Sequence, residues 1–373
     1  MYVELHARSA FSFLEGTSLP ELLMARCAEL EMPAMALLDR NGLYGSPRLH
    51  LAAQRAGLRA HVGAEIAVKD AAYPQSAKSG QIGGPVGEHA RPPQWLPHRI
   101  PPEPVRWPLL AESRTGYQNL CRLITRYKLR TGHKAEGAAL LSDIAEHSQG
   151  LVCLTGGDEG PLAAALARGG YDEALREVKR LVHIFGPHHV FVELQRHFDR
   201  AEEHRNQAAV RIARSLGLPL LATGGVHYAL PCEREVLDVL TCIRHHCTLE
   251  TAGRLLAPNA ERCLRSAREM QELFRDLPEA IANTSELSSR LAYQMNDLGY
   301  RFPDYPVPGF IESGGEPMQS FLEKRTAEGI RNRYLPKRDD KLFARAKQQA
   351  RRELALIDKL GLAGYFLIVW DIV

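Results

Sequence analysis

The chain has 373 residues, of which 45% are hydrophobic and 24% are charged. One hydrophobic core rarely serves more than about 250–300 residues, so this length predicts two structural units, and the composition excludes a disordered chain. The net charge of +3 is too small to indicate a polyanion-binding surface by itself. No apolar run approaches the roughly 18 residues of a membrane span, and the first residues do not resemble a signal peptide. We therefore expect neither a membrane protein nor a secreted one.

The cysteines indicate a reducing compartment. Seven are present, an odd number, and none forms a Cys-x-x-Cys pair. Disulfide frameworks and zinc knuckles usually use even numbers of cysteines at characteristic spacings, so these thiols are predicted to be free. We therefore expect a cytoplasmic protein.

Residues 1–230 alternate short apolar runs with amphipathic stretches, which is typical of an α/β fold. Helices are predicted over residues 18–30, where Ser18 and Glu21 have the spacing of a capping box, and over 201–216. Strands joined through helices usually run parallel, and seven of them can close into a barrel or form an open sheet. The runs that predict strands are residues 2–5, 34–38, 61–68, 107–111, 151–154, 190–194 and 218–222.

The rest of the sequence predicts an insertion and a second unit. Residues 70–104 are rich in proline and glycine and lack apolar periodicity, which predicts a surface insertion. The chain ends on an apolar run, 364–373, without a polar tail, from which we expect the N-terminal part of a longer protein. Further helices are predicted over residues 233–244, 260–274, 277–291, 319–334 and 342–360. The predicted domains are an α/β domain (1–230), a helical connector (231–302), a linker (303–317) and the beginning of a second unit (318–373).

Ionisable side chains occur at or near the ends of several predicted strands. His6 and Glu15 follow the first strand, Asp39 the second and His227 the last, and Glu65 lies in the third. In an α/β barrel the carboxyl ends of the strands form the functional face, where imidazoles and carboxylates would suit Zn²⁺ or Mn²⁺ and phosphoester hydrolysis. The alternative is structural, with the histidines hydrogen-bonded inside the barrel and the carboxylates capping helices or pairing with arginines. The spacing alone favours this structural interpretation.

Several motifs resemble a known family. In order and spacing they are similar to the polymerase-and-histidinol-phosphatase (PHP) domain that opens the alpha subunits of bacterial C-family DNA polymerases. The segment FSFLEG and the ending WDIV are more like the error-prone, lesion-bypass branch, and the resemblance covers the chain except residues 70–104. The motifs are residues 5–16 (LHARSAFSFLEG), 36–45 (ALLDRNGLYG), 62–65 (VGAE), 116–125 (GYQNLCRLIT), 193–197 (ELQRH), 222–228 (ATGGVHY) and 353–369 (ELALIDKLGLAGYFLIV).

The resemblance implies a distorted seven-stranded (β/α) barrel, which selects the barrel over the open sheet, followed by a mostly helical segment that leads into a truncated polymerase palm. For the parent protein it implies a DNA-directed DNA polymerase, a nucleotidyltransferase that uses Mg²⁺, deoxynucleoside triphosphates and a DNA primer-template. Lesion-bypass or replication proteins are the implied partners. In that family the catalytic motifs lie beyond the position where this chain ends. No catalytic or cofactor-binding residue is therefore assigned, and the chain alone is expected to be inactive.

Family members with a working metal centre hold metal ions on histidines, carboxylates and sometimes a cysteine at the strand ends, and they can act as 3′–5′ exonucleases or phosphoesterases. In this sequence Arg8 and Arg40 stand where the resemblance places two histidine ligands. Arg106, Gly157 and Gly225 stand at the positions of a further histidine, a cysteine and an aspartate. The metal ligands that remain are His6, Glu15, Glu65 and His227.

Arginine stays protonated and only donates hydrogen bonds, so it repels a cation. We expect Arg8 and Arg40 to pair with Glu15, Asp39 or Glu65, and the barrel to be metal-poor and structural. Two alternatives stay open. One is a metal-dependent phosphoesterase or 3′–5′ exonuclease that keeps residual Zn²⁺ or Mn²⁺ on Glu65 and the remaining histidines. The other is a non-catalytic scaffold for polymerase partners.

Contacts with nucleic acid are less specific in the sequence. The aromatic residues Trp107 and Tyr117 lie in or near predicted strands and helices and favour core packing over base stacking. A basic stretch that enters the second unit would contact phosphates or form a solvated helix face balanced by nearby carboxylates, and the sequence leaves both open. This stretch contains Lys337, Arg338, Lys341, Arg345, Lys347, Arg351 and Arg352.

Overall fold

The structure is a computed structural model that describes residues 1–69, 105–130, 137–296, 304–307, 317–335 and 339–373. These residues form two compact units, Met1–Met295 and Asn296–Val373. The predicted insertion, 70–104, and most of the predicted linker, 303–317, lie outside the described residues. The helices between residues 231 and 295 belong to the first unit together with the sheet, and the finer division at residue 230 stays a prediction.

The first unit contains a curled sheet whose order is β1-β2-β3-β4-β6-β7-β8, with β5 paired to β3. The seven predicted strands are confirmed, whereas the two-residue β5 is too short to leave a pattern in the sequence. The strands are β1 (Glu4–Ala7), β2 (Ala34–Arg40), β3 (Arg59–Lys69), β4 (Val105–Ala111), β5 (Ala139–Leu140), β6 (Leu151–Leu154), β7 (Val190–Leu194) and β8 (Leu220–Ala222).

The direction of β4 differs from the sequence prediction. This strand runs antiparallel to both of its neighbours, β3 and β6, whereas the other pairs are parallel. The prediction assumed helices between consecutive strands, but a proline-rich segment of sequence precedes β4. The argument for a parallel crossover therefore does not apply there.

Helices of the first unit pack against the sheet. Those of the first unit are α1 (Pro20–Glu29), α2 (Ser46–Ala56), α3 (Arg114–Arg130), α4 (Leu141–Glu146), α5 (Pro161–Phe185), α6 (Arg200–Leu216), α7 (Arg234–His245), α8 (Leu249–Ala252), α9 (Ala267–Leu273) and α10 (Pro278–Arg290). Short 3₁₀ turns occur at Pro187–His189, Pro231–Glu233 and Gly253–Leu255.

Two helix predictions were wrong in detail. The capping box at Ser18 does not form, because Leu19 is the N-cap of α1 and the Ser18 hydroxyl donates to Glu233 instead. The predicted helix 260–274 is shortened to α9, because the preceding segment pairs with the sheet region through a bridge between Tyr228 and Cys263. Both differences arise from tertiary contacts that local spacing does not reveal.

The sheet buries side chains on both faces. In β2, Met35 and Leu37 pack into the main core, whereas Ala36 and Leu38 belong to a second cluster that also contains Leu287 of α10. This alternation follows from the two-residue period of a strand. The residues after β8 return to β1, where Val226 exchanges backbone hydrogen bonds with His6 and Arg8 at 2.9 and 2.8 Å. This contact closes the curled sheet at one rim.

The second unit is helical, with α11 (Met318–Tyr334), α12 (Asp340–Lys359) and α13 (Ala363–Ile372). Leu322, Ala363 and Leu367 form its small buried cluster. The basic residues of α12 from Lys341 to Arg352 are exposed, and their contact with phosphates stays a prediction.

Two further expectations can be compared with the structure. Trp107 is fully buried and Tyr117 stacks on Tyr293, so both aromatic rings pack inside the first unit as predicted. None of the helices in the described ranges is long and apolar enough to span a bilayer.

Candidate functional site

One rim of the curled sheet gathers most of the ionisable residues selected from the sequence. His6 lies at the end of β1, and Arg8 directly follows that strand. Arg40 at the end of β2 is in register with Glu65 of β3. The bridge from Val226 to β1 brings the residues that follow β8 to the same place. We call His6, Arg8, Glu15, Glu65, Arg106, Glu159, Glu193 and His227 the rim network.

Arg8 lies at the centre of this network and is only 5% exposed. Its Nε and Nη2 atoms donate to the two oxygens of Glu65 at 2.6 and 2.8 Å, a bidentate ion pair. Nη2 also donates to Glu159, and Nη1 lies 3.3 Å from Nε2 of His227. Burial lowers the pKa of Arg8, but Glu159, Glu65 and Glu15 outweigh burial and raise that pKa well above its usual range. The guanidinium charge is therefore permanent.

His6 is held between two carboxylates. Its Nδ1 atom lies 2.7 Å from Glu193 Oε1, and its Nε2 atom lies 2.7 Å from Glu65 Oε1. An ionised carboxylate only accepts hydrogen bonds, so both ring nitrogens donate and the imidazole is positively charged. Burial lowers the pKa of His6, but Glu193 and Glu65 outweigh burial and raise the pKa to about 10. An imidazolium has no free lone pair for a metal ion.

Glu15 is enclosed by guanidinium groups. Arg106 donates to both of its oxygens at 2.6 and 3.0 Å, and Arg40 donates at 2.5 Å. Arg244 of α7 adds an ion pair at 2.9 Å. Burial raises the pKa of Glu15, but Arg106, Arg8 and Arg40 outweigh burial and lower the pKa to about 2. The expected pairing of Arg40 with Glu15 is therefore present.

The remaining members complete the charge balance. Glu159 joins Arg8 to Arg106, whose Nη1 lies 3.0 Å from Glu159 Oε2. Burial and the charges of Arg8 and Arg262 lower the pKa of His227 well below its usual range. His227 is therefore neutral, and it accepts a hydrogen bond from Arg8 rather than pairing with a carboxylate.

Asp39 is separate from the rim network, which corrects one of the predicted pairings. Its oxygens accept from the backbone and hydroxyl of Ser9, the hydroxyl of Ser12 and the backbone of Gly45, at 2.9–3.1 Å. Burial raises the pKa of Asp39, and these hydrogen bonds oppose the rise only in part. Asp39 thus fixes the loop after β1 and the start of α2 instead of neutralising an arginine.

Gln195 occupies the space beside Gly157 and Gly225, the two glycines at positions where the resemblance places metal ligands. A Cβ atom at Gly157 would overlap with Oε1 of Gln195, and one at Gly225 would lie 2.6 Å from the same amide. Gln195 is itself held, since its Nε2 atom donates to Glu193 Oε1 at 2.7 Å and lies 3.4 Å from the hydroxyl of Thr223. Side chains larger than hydrogen therefore have no room at either glycine unless Gln195 moves.

The rim does not fit the metal cluster that the resemblance implies. Within the described parts of the chain, no group of three or more His, Cys, Asp or Glu side chains is arranged to hold a metal ion. The cavity at the centre of the network has a volume of about 10 Å³, near the lower limit for one water molecule. Glu193 Oε2 is buried without a hydrogen-bond partner among the described residues. One such oxygen does not make a metal site, because the same carboxylate pairs with the positively charged His6. The carboxylates of the rim are paired with guanidinium and imidazolium groups instead of a metal ion.

The structure brings His6, Glu65 and His227 together around Arg8, and Nη1 of Arg8 lies 3.8 Å from Glu15 Oε2. Their role as metal ligands stays a prediction. Sequence reasoning missed Glu193, Glu159, Gln195, Arg244 and Arg262. Glu193 was detectable, because it is a carboxylate within a predicted strand, as Glu65 is. The others lie in loops or on a connector helix, where the apolar periodicity of the sequence gives no indication that they face the rim.

Comparisons with known proteins identify the family of the chain. Residues 4–197, more than half of the chain, match the PHP domain. The chain therefore belongs to the PHP domain family. Residues 320–373 match the family described as the bacterial DNA polymerase III alpha NTPase domain. The resemblance seen in the motifs is thereby confirmed.

The curated relatives are longer than this chain. The chain is 34% identical over 373 residues to the Error-prone DNA polymerase of Mycolicibacterium paratuberculosis, covering 100% of the chain and 31% of the relative. It is 35% identical over 395 residues to the Error-prone DNA polymerase of Nocardia farcinica, covering 100% and 34%. The chain thus spans about a third of the length of the relatives it matches. Among solved structures, an amidohydrolase from Chromobacterium violaceum aligns with 61% of this chain and 88% of its own, at 14% identity and a TM-score of 0.37.

Proposed function

We propose that the chain is the N-terminal part of an error-prone DNA-directed DNA polymerase, and that its barrel is a metal-poor structural domain. The observation that supports the structural role is the rim network, in which Arg8 and His6 carry buried positive charge beside the carboxylates that would ligate metals. A scaffold needs a rigid rim, and buried bidentate ion pairs supply one.

The parent protein would transfer nucleotides from deoxynucleoside triphosphates to a DNA primer-template, in translesion synthesis and repair-associated replication. This activity is inferred from the relatives named Error-prone DNA polymerase and from the match of residues 320–373. Divalent metal chemistry is general to polymerases, and we propose Mg²⁺ as the ion, bound outside this chain. Lesion-bypass or replication proteins are the proposed partners, and the free cysteines favour the cytoplasm.

The geometry disfavours the alternative of a phosphoesterase or 3′–5′ exonuclease. Hydrolysis at a metal centre requires an open coordination position for water. At this rim Arg8 and Arg106 lie between the carboxylates. The residual site contains a protonated imidazole, His6, bonded to Glu65, and a neutral imidazole, His227, that accepts from Arg8. Residual Zn²⁺ or Mn²⁺ there would have to displace Arg8.

A primer assay tests the proposal. The 373-residue chain and the full-length product of its gene are incubated with a 5′-labelled primer-template, Mg²⁺ or Mn²⁺, with and without deoxynucleoside triphosphates. We expect the full-length protein to extend the primer, and the chain alone neither to extend nor to shorten it.

A matched Glu65→Gln variant of the chain identifies contaminating nuclease, because contamination would persist in it. Failure of the full-length protein to incorporate nucleotides would refute the polymerase assignment. Shortening of the primer that disappears in Glu65→Gln would instead refute the structural role and favour the exonuclease.

A further inference from the structure

A large cleft lies next to the rim, bounded by α5, the start of α6 and residues 253–262. Its volume is about 1040 Å³, just above the roughly 300–1,000 Å³ of ligand pockets. Six arginines line it against three carboxylates. The excess of positive charge indicates an anionic ligand.

Phe198, in the loop between β7 and α6, lines this cleft in an unfavourable conformation. Its φ is 59°, in the left-handed region that non-glycine residues rarely adopt, and 76% of the residue is exposed. Burial of the ring therefore does not compensate for the backbone strain. Strain of this kind persists where the surroundings impose it, and it concentrates at binding sites.

The neighbours of Phe198 impose its conformation. The backbone amide of His197 donates to Glu202 at 2.6 Å. The imidazole Nε2 atom of His197 donates to the carbonyl of Gly224 at 2.7 Å. Asn259 donates to the carbonyl of His197 at 2.6 Å. These contacts fix the residue before Phe198 and hold the phenyl ring exposed at the cleft.

One face of α6 supplies positive charge to the same cleft. Arg200 and Arg211 are exposed, line the cleft and lie about three helical turns apart on the same face. The guanidinium of Arg211 lies 4.6 Å from the ring centre of Tyr171, another lining residue. Within the described ranges neither Arg200 nor Arg211 has a carboxylate partner, so both charges are free to meet an anion.

We propose that this cleft binds nucleotide units, with an aromatic base stacked on Phe198 and phosphates at Arg200 and Arg211. An exposed ring beside unpaired guanidinium groups is the combination that holds single-stranded nucleic acid, since every base has a face to stack and every unit carries a phosphate. The same chemistry could be supplied by a free nucleotide. The inference goes beyond the proposed function, because neither polymerase activity nor a metal-poor rim requires it.

Fluorescence anisotropy of the 373-residue chain with labelled oligothymidylate of about 12 nucleotides, within the roughly 4–16 nucleotides of single-strand sites, tests the proposal. We expect Phe198→Gly to weaken binding about tenfold or more, as loss of one stacked base does. Its thermal midpoint should stay equal or rise, because glycine tolerates the positive φ. Arg200→Gln and Arg211→Gln should each reduce the slope of log affinity against log salt by about 0.7.

Matched controls lie outside the cleft. Phe13 is 78% exposed and Arg122 is exposed on α3, and neither lines the cleft. Phe13→Gly and Arg122→Gln should leave both affinity and salt slope unchanged. Cleft variants that bind as tightly as the wild-type chain, or controls that lose as much affinity as they do, would overturn the proposal.

Competitors identify the source of the ligand. Displacement of the oligonucleotide by thymidine triphosphate at equal phosphate concentration would assign the cleft to free nucleotides, whereas displacement only by unlabelled single strands would assign it to nucleic acid. Equal displacement by heparin or polyglutamate, with no effect of Phe198→Gly, would show a general anion surface and refute base stacking. Absence of any binding by the wild-type chain would also refute the proposal.

Discussion

Replacing Arg8 with glutamine should lower the free energy of unfolding by about 3–5 kcal/mol, the cost of removing one partner from a buried ion pair. The side chain of Arg8 is 6% exposed, and it contacts Glu65 and Glu159 directly, with Glu15 at 3.8 Å. Glutamine retains hydrogen-bonding groups but leaves these carboxylates without their central positive charge. Urea unfolding measures the loss, and the thermal midpoint should fall by about 10 °C.

The control for this variant is Arg275→Gln. Arg275 pairs with Glu272 at 3.2 Å, and the two side chains are 78% and 75% exposed. Exposed pairs contribute about 0–1 kcal/mol, so this variant should unfold nearly as the wild-type chain does. If Arg8→Gln costs no more than Arg275→Gln, Arg8 is not the centre of a stabilising network.

The second large effect is a loss of stability in alkali. The pKa of His6 is raised to about 10 in the folded chain, against about 6.5 in an unfolded one. The stabilisation from charged His6 is therefore fully present below about pH 6.5, and it is lost as the pH rises through about 10. Urea unfolding of the wild-type chain and of His6→Gln between pH 6 and pH 10.5 measures the difference, which should shrink by a few kcal/mol as pH rises.

Subtracting the His6→Gln curve removes the titration of tyrosines and lysines, which both proteins share. In acid, the carboxylate Glu15 gives the opposite pH dependence, with stability lost as the pH falls. Glu15 has a folded pKa of about 2, so its contribution is present above about pH 4.3 and is lost as the pH falls toward 2. For His6, the test is the difference in free energy of unfolding between the wild-type chain and His6→Gln. If this difference stays constant from pH 6 to pH 10.5, His6 is neutral and the ion-pair account of this residue is wrong.

Much of the fold was predictable because its strands are marked by short apolar runs. Ala34–Arg40 is such a strand, and its alternating residues enter the two core clusters. The antiparallel β4 was not predictable, because strand direction depends on the connection before it and not on the strand's own residues. The two-residue β5 has no period at all.

The site was predictable only in part. His6 and Glu65 were found because strand ends converge on one rim, and Arg8 was identified because a guanidinium replaces an expected ligand. Asp39 was paired with the wrong partners, since hydroxyl and backbone donors from the loop after β1 leave no trace in residue charge. Gln195 was missed for a related reason, since a neutral amide that fills the space beside two glycines is visible only in three dimensions.

The central claim, that an ion-pair network stands in place of a metal centre, is tested most directly by metal content. The purified chain is incubated with Zn²⁺ or Mn²⁺ and desalted, and metal per chain is measured by elemental analysis, with Arg8→His/Arg40→His as a matched variant. We expect well under one equivalent in the wild-type chain. The double variant should also fall short of a full cluster, because Gln195 still blocks Gly157 and Gly225. Two or three metal ions per wild-type chain would contradict the account.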